Sequence, residues 1–165
     1  MYTWRMNGSS SDNTQAQHAV AEAVQLTRQS KISEALTSFE TFLTPLSGGT
    51  IGDRRVAAGA FSYYGYCVAK IRRKYAEGVK YCDISLRANP LDPDHRANLA
   101  MVYLERNDRA KAIEALNAGL RLDRRNRRLH LILESIGRRK PPVIPFLSRN
   151  SPLNIWLGKR RTEKR

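Results

Sequence analysis

Three histidines, His18, His95 and His130, and two cysteines, Cys67 and Cys82, are the side chains of this 165-residue chain best suited to ligate a transition metal. A zinc site draws its ligands from short paired spacings or from an HExxH turn, and neither pattern occurs here. The glycines of Ser47-Gly48-Gly49 lack the lysine of a phosphate-binding loop, and no serine stands in a nucleophile elbow. Asp92 and Asp94 flank Pro93, where a carboxylate reads more simply as the cap of the helix that follows. The expectation is a non-enzymatic chain with no metal and no cofactor.

Charge is the other chemistry the residues offer. The formal net charge is +14, and it is concentrated late: from Arg121 onward there are 14 lysines and arginines against three acids. Arg124, Arg125, Arg127 and Arg128 form one cluster, Arg138, Arg139 and Lys140 a second, and Lys159, Arg160 and Arg161 a third. Such a field attracts nucleic acid, anionic lipid headgroups or an acidic protein, and it also serves as a solvated surface. No aromatic-basic signature of an RNA-recognition module accompanies it. Trp156, with Leu153 and Leu157, stands beside Arg160 and Arg161, which suits packing back on the protein, a hook for a partner, or a shallow seat on a membrane surface. No run of 18 apolar residues is present, and MYTWRMNGSSSD at the start has no apolar core of a secretory signal. Cytoplasmic residence and two buried free thiols are therefore expected.

The elements that would hold these residues are helical. Leu99, Ala100, Val102 and Tyr103 recur at helical spacing, Asn107-Asp108 interrupts, and Ala112, Ile113, Leu116 and Leu120 restart the pattern. That is a helical hairpin, with Ala100 and Ala112 small enough to let the two backbones approach. Gly78-Val79, Cys82, Ser85 and Leu86 repeat the second half at a period of about 34 residues. A further copy runs through Ala16, Ala19, Val20, Ala23 and Leu26, then, after Gln29-Ser30-Lys31, through Ala35, Leu36, Phe39, Phe42 and Leu43. The middle copy carries Tyr64-Gly65 where the third has Leu99-Ala100 and holds one extra residue, which is assigned to a longer turn around Arg72-Arg73-Lys74. Pro45 to Gly52 reads as a loop, and Asn89-Pro90-Leu91-Asp92-Pro93 as a turn between copies. Leu129, Ile132, Leu133 and Ile136 then share one face of a further helix that Gly137 would stop. Pro141, Pro142 and Pro145 force an extended path beyond it, with Ser151-Pro152 opening a last short turn.

This 34-residue helical repeat resembles the tetratricopeptide (TPR) family. The resemblance implies an all-α, right-handed superhelix of about three hairpins with a capping helix over residues 16–137, while the residues on either side read as an unstructured segment 1–15 and a Pro-containing basic tail 138–165. It also implies a concave groove, lined by the first helix of each hairpin, that takes a partner's peptide or helix. By helical phase the groove residues are Gln17, Val20, Val24 and Arg28 in the first hairpin, Ser62, Tyr66 and Lys70 in the second, and Asp94, Ala97, Met101 and Glu105 in the third. Val20, Val24, Tyr66 and Met101 would form an apolar floor, and Arg28 and Lys70 would meet acidic groups of the partner. Members that clamp a terminal carboxylate use lysine and asparagine where this chain has Val20 and Val24, so that variant of the function is not expected. The function implied is that of a protein-binding adaptor, with RNA or anionic-membrane association through the arginine-rich end as the alternative.

Overall fold

The computed structural model describes residues 10–48, 51–137, 144, 151–153 and 155–157. Contacts divide the chain into residues 1–135 and 136–165, each described by itself. The described elements are all α-helical: α1 (Ser10–Arg28), α2 (Ile32–Gly48), α3 (Ile51–Arg72), α4 (Tyr75–Ala88), α5 (Pro93–Glu105), α6 (Arg109–Leu122) and α7 (Arg127–Ile136). None of the described helices is long and apolar enough to cross a membrane.

Three helix pairs, α1/α2, α3/α4 and α5/α6, turn at a residue in the left-handed region: Ser30 at φ 65°, Arg73 at 59° and Asn107 at 63°. In the first and third, this residue donates its N–H back to Thr27 or Leu104. The next residue, Lys31 or Asp108, donates to Leu26 or Tyr103 at 2.9 and 2.8 Å. Two nested bonds of this kind satisfy carbonyls that a helix end otherwise leaves bare. Asp108 then accepts the Lys111 N–H, so one residue closes one helix and caps the next.

Small residues set how closely each pair crosses. Ala23, Ala35, Ala100 and Ala112 are all fully buried. In the middle pair Gly65 and Gly78 take these places, and a Cβ on Gly65 would stand 2.6 Å from the Gly78 carbonyl oxygen. The space beside them is filled by an aromatic wedge in which Tyr81 stacks on Phe61 and meets Tyr64 edge-on, while Tyr64 reaches Phe39.

Helices α1, α3 and α5 lie side by side, each packed on its own second helix, and α3 and α5 also pack on the preceding α2 and α4. Among the described residues the backbones of α2, α4 and α6 do not come as close to one another as those of α1, α3 and α5 do. The core runs through Val20, Phe39, Leu43, Val68, Cys82, Val102 and Leu116. Leu129 of α7 is fully buried and lies over Gly119 of α6, whereas Leu131 is half exposed. Gly137, at φ 69°, stands where α7 ends. Cys67 and Cys82 are buried free thiols, as expected; burial raises both pKa values, that of Cys67 to about 11.

Three expectations are corrected. α1 starts at Ser10, so residues 10–15 are helical rather than part of an unstructured leader. α2 continues through Pro45 to Gly48 and α3 begins at Ile51, so the glycine-rich stretch is mostly helix. The extra residue of the middle pair lies within α3, which runs to Arg72 and leaves a turn of only Arg73 and Lys74.

In the second unit Pro152, Leu153 and Ile155–Leu157 are helical, with the Ile155 N–H donating to the Ser151 carbonyl at 3.0 Å. Leu153, Ile155 and Trp156 are each about half exposed there.

Candidate functional site

Four helices bring charged side chains to one point. Arg28 is the last residue of α1, Tyr63 lies midway along α3, Asp94 follows Pro93 in the first turn of α5, and Arg128 is the second residue of α7. Arg28 Nη2 donates to Asp94 Oδ2 at 2.7 Å and to the Tyr63 hydroxyl at 3.0 Å, and that hydroxyl donates to the same Oδ2 at 2.8 Å. Arg128 Nη1 stands 3.3 Å from Asp94 Oδ1. Both guanidiniums also lie over the Tyr63 ring, 5.7 and 5.6 Å from its centre, where the negative face of the ring favours a cation.

One carboxylate thus serves two arginines. Burial alone would raise the Asp94 pKa, but the Tyr63 hydroxyl and the two positive charges outweigh it and hold the carboxyl below its usual range. Burial pushes Tyr63 up to about 12, and its hydrogen bond holds Arg28 the more firmly charged. At neutral pH the group is two cations, one anion and a neutral phenol.

A buried polar chain runs inward from Arg128. Its Nη2 donates to Asn98 Oδ1, and Asn98 Nδ2 donates to Ser62 Oγ at 2.9 Å. Ser62 Oγ lies 2.9 Å from His95 Nδ1, and His95 Nε2 faces Asp92 Oδ2 at 3.6 Å. The amide accepts from the arginine and donates to the serine, whose hydroxyl proton is free to go to Nδ1, the arrangement that the Asp92 carboxylate facing Nε2 favours. That places the proton of a neutral His95 on Nε2, toward Asp92. Burial lowers the His95 pKa and keeps the ring neutral, with Asp92 and Asp94 opposing weakly. Ser62, His95 and Asp92 stand in the order of a hydrolytic relay. Ser62 is fully buried, so no substrate carbonyl reaches its oxygen, and the relay braces α3 against α5. Ser85 joins the same brace, accepting the Ser62 N–H and donating to the Ala58 carbonyl.

The residues expected to line a groove fall into three groups. Val20 and Tyr66 are buried, at 2% and 8% exposure, as are Ser62 and Ala97; these four belong to the core and form no open floor. Val24 and Met101 are half-buried and do reach solvent. The charged members already have partners inside the protein: Arg28 has Asp94, and Lys70 donates to Glu105 at 2.6 Å across α3 and α5. Of the basic clusters, Arg124, Arg125 and Arg127 are exposed, and Arg128 is drawn into the centre with Asp94. Arg138, Arg139, Lys140, Lys159, Arg160 and Arg161 lie outside the described residues.

Tyr63 and the Ser62–Asn98–His95 chain were not anticipated. A signal was present, since Ser62, His95 and Asn98 fall on helix faces that must be buried, and three polar residues there require each other as partners.

Arg28, Asp94, Asn126, Arg127 and Arg128 line an open cleft of about 430 Å³. Asn126 accepts the Leu129 N–H through Oδ1, capping α7. Among the described residues no three His, Cys, Asp or Glu side chains are grouped to hold a metal ion.

No protein-family model matches the chain, and the search of curated proteins returned no match.

Proposed function

We propose that this chain is a TPR-like adaptor, with α1, α3 and α5 forming the inner, partner-binding layer and α7 capping the end of the array. The observation that carries this reading is the repeated hairpin. The left-handed turn residue and the small-residue crossing recur three times, and among the described residues the backbones of the first helices, unlike those of the second, come close to their counterparts from pair to pair. Helices in contact along one layer and apart along the other are what a curved stack produces, with the close-packed layer on its inner side. Val24 and Met101 offer apolar anchors on that layer, and the Lys70–Glu105 and Arg28–Asp94 pairs form its charged margins. α7 buries Leu129 over Gly119 and turns Arg127 and His130 outward, the division of faces a terminal helix requires.

The test compares three chains for capture of partners from native extract: the intact protein, Val24→Asp with Met101→Asp, and the chain lacking residues 138–165. Capture that survives the truncation and fails in the double variant agrees with the proposal. Capture lost only on truncation contradicts it.

A second reading rests on the exposed arginines 124, 125 and 127 and the strongly positive end: association with RNA or anionic membrane through this region. It requires affinity that falls steeply between low and physiological salt, because each phosphate contact releases condensed counterions.

A further inference from the structure

Resting on the reading of α1, α3 and α5 as a peptide-binding layer, we propose that the cleft between Arg28 and Arg127 holds a side-chain carboxylate of an acidic partner peptide. Three guanidiniums line it and one carboxylate answers them, so two positive charges remain uncompensated in its walls. Arg28 uses only Nη2 for both Tyr63 and Asp94, which leaves its Nη1 donors available, and its side chain is 45% exposed. Arg127 is exposed with no protein partner among the described residues. Asn126 commits Oδ1 to capping α7, so its amide nitrogen remains as a neutral donor beside them. Arg128 lines the cleft as well but is held by Asp94 and Asn98, so it adds charge with its donors already engaged.

The cleft is open to solvent and, at about 430 Å³, leaves room for the flanking atoms of a peptide that carries the carboxylate. The walls keep a net positive charge that attracts an anion, and Asp94, fixed in the lining and ionised, reduces that attraction without reversing it. Asp123, on the α6–α7 turn, accepts the Arg125 N–H through Oδ1.

Fluorescence anisotropy of the full chain with a labelled glutamate-bearing peptide, acetylated and amidated at its ends, tests this. The glutamine counterpart serves as control and inorganic phosphate as competitor. Binding should weaken about tenfold in Arg28→Gln with Arg127→Gln, and measurably in Arg127→Gln alone, which breaks no internal contact and so preserves the fold. The glutamine peptide should bind at least as weakly as the glutamate peptide binds the double variant. Equal binding of both peptides overturns the proposal, as does phosphate displacing the peptide at concentrations where free glutamate does not. An equal loss from Arg124→Gln with Arg125→Gln also overturns it, because diffuse charge would then be responsible. If the Arg variants leave peptide binding intact while Val24→Asp with Met101→Asp abolishes partner capture, the cleft is rejected and the array reading stands. The opposite pattern rejects the array reading and keeps the cleft.

Discussion

Ser62 has no charge and no exposure, yet it is the residue on which the polar interior turns. Asn98, His95 and, through its backbone, Ser85 all meet it. Replacing Ser62 with alanine strands two buried groups and should cost about 2 kcal/mol, measured as a lower urea midpoint at unchanged slope. A loss within experimental error would show that the chain from Arg128 to His95 contributes no stability. His95 adds a pH dependence whose sign follows from its lowered pKa. Between that value and the unfolded value of about 6.5 the unfolded chain binds the extra proton, so stability declines as pH falls below about 6.5 and is level above it. Asp94, also lowered, loses its contribution only further down, through the ordinary carboxylate range. His95→Gln should flatten the upper of these two steps, and urea midpoints between pH 5 and 7 would reveal it. Tyr66 illustrates where reading by phase misleads. Its position along α3 matches that of Lys70, yet it is closed off at 8% exposure, because phase fixes a direction and not what has packed against it. Tyr66→Ala is accordingly a stability variant, and its effect on binding would not report a contact.

The hairpins were legible because their signals are local. Apolar spacing marked the helices, Asn107-Asp108 marked a turn, and Ala100 with Ala112 marked a crossing, all of which the backbone and its hydrogen bonds reproduce. The length of the middle turn was not legible, since an added residue satisfies the sequence pattern equally in a turn or in a helix end; α3 absorbs it by running on to Arg72. The loop assigned to Pro45–Gly52 failed for a related reason: glycine and proline weaken a helix near its end without preventing it. Two glycines of α3 separate propensity from packing. A Cβ on Gly59 meets nothing within 4 Å, whereas one on Gly65 collides with the Gly78 carbonyl. Gly59→Ala should therefore raise stability by about 0.5–1 kcal/mol and Gly65→Ala should lower it by more than that. Thermal melts followed by circular dichroism would decide, and a Gly65→Ala chain as stable as the parent would mean that α3 and α4 do not cross so closely.

Across the molecule, the separation of groove residues from basic clusters that the sequence suggested is partly dissolved. Arg28 came from the first group and Arg128 from the second, a hundred residues apart in number, and Asp94 with Tyr63 brings them together. Pairings of that range follow from how the hairpins stack, which no single helix pattern encodes. The same stacking ties the end of α1 to α5 and the start of α7. Removing the tie by Asp94→Asn should loosen the array at that corner, with faster amide exchange near Arg28 and Arg128 than near Phe39.

The central claim is that a partner lies along α1, α3 and α5. Photo-cross-linking from benzoylphenylalanine placed singly at Val24, Met101, Lys80 and Arg125 tests it most directly, with partner supplied by native extract. The claim predicts adducts from positions 24 and 101, both on the first-helix layer, and none from 80 on the exposed face of α4. Adducts confined to positions 80 or 125 would contradict it.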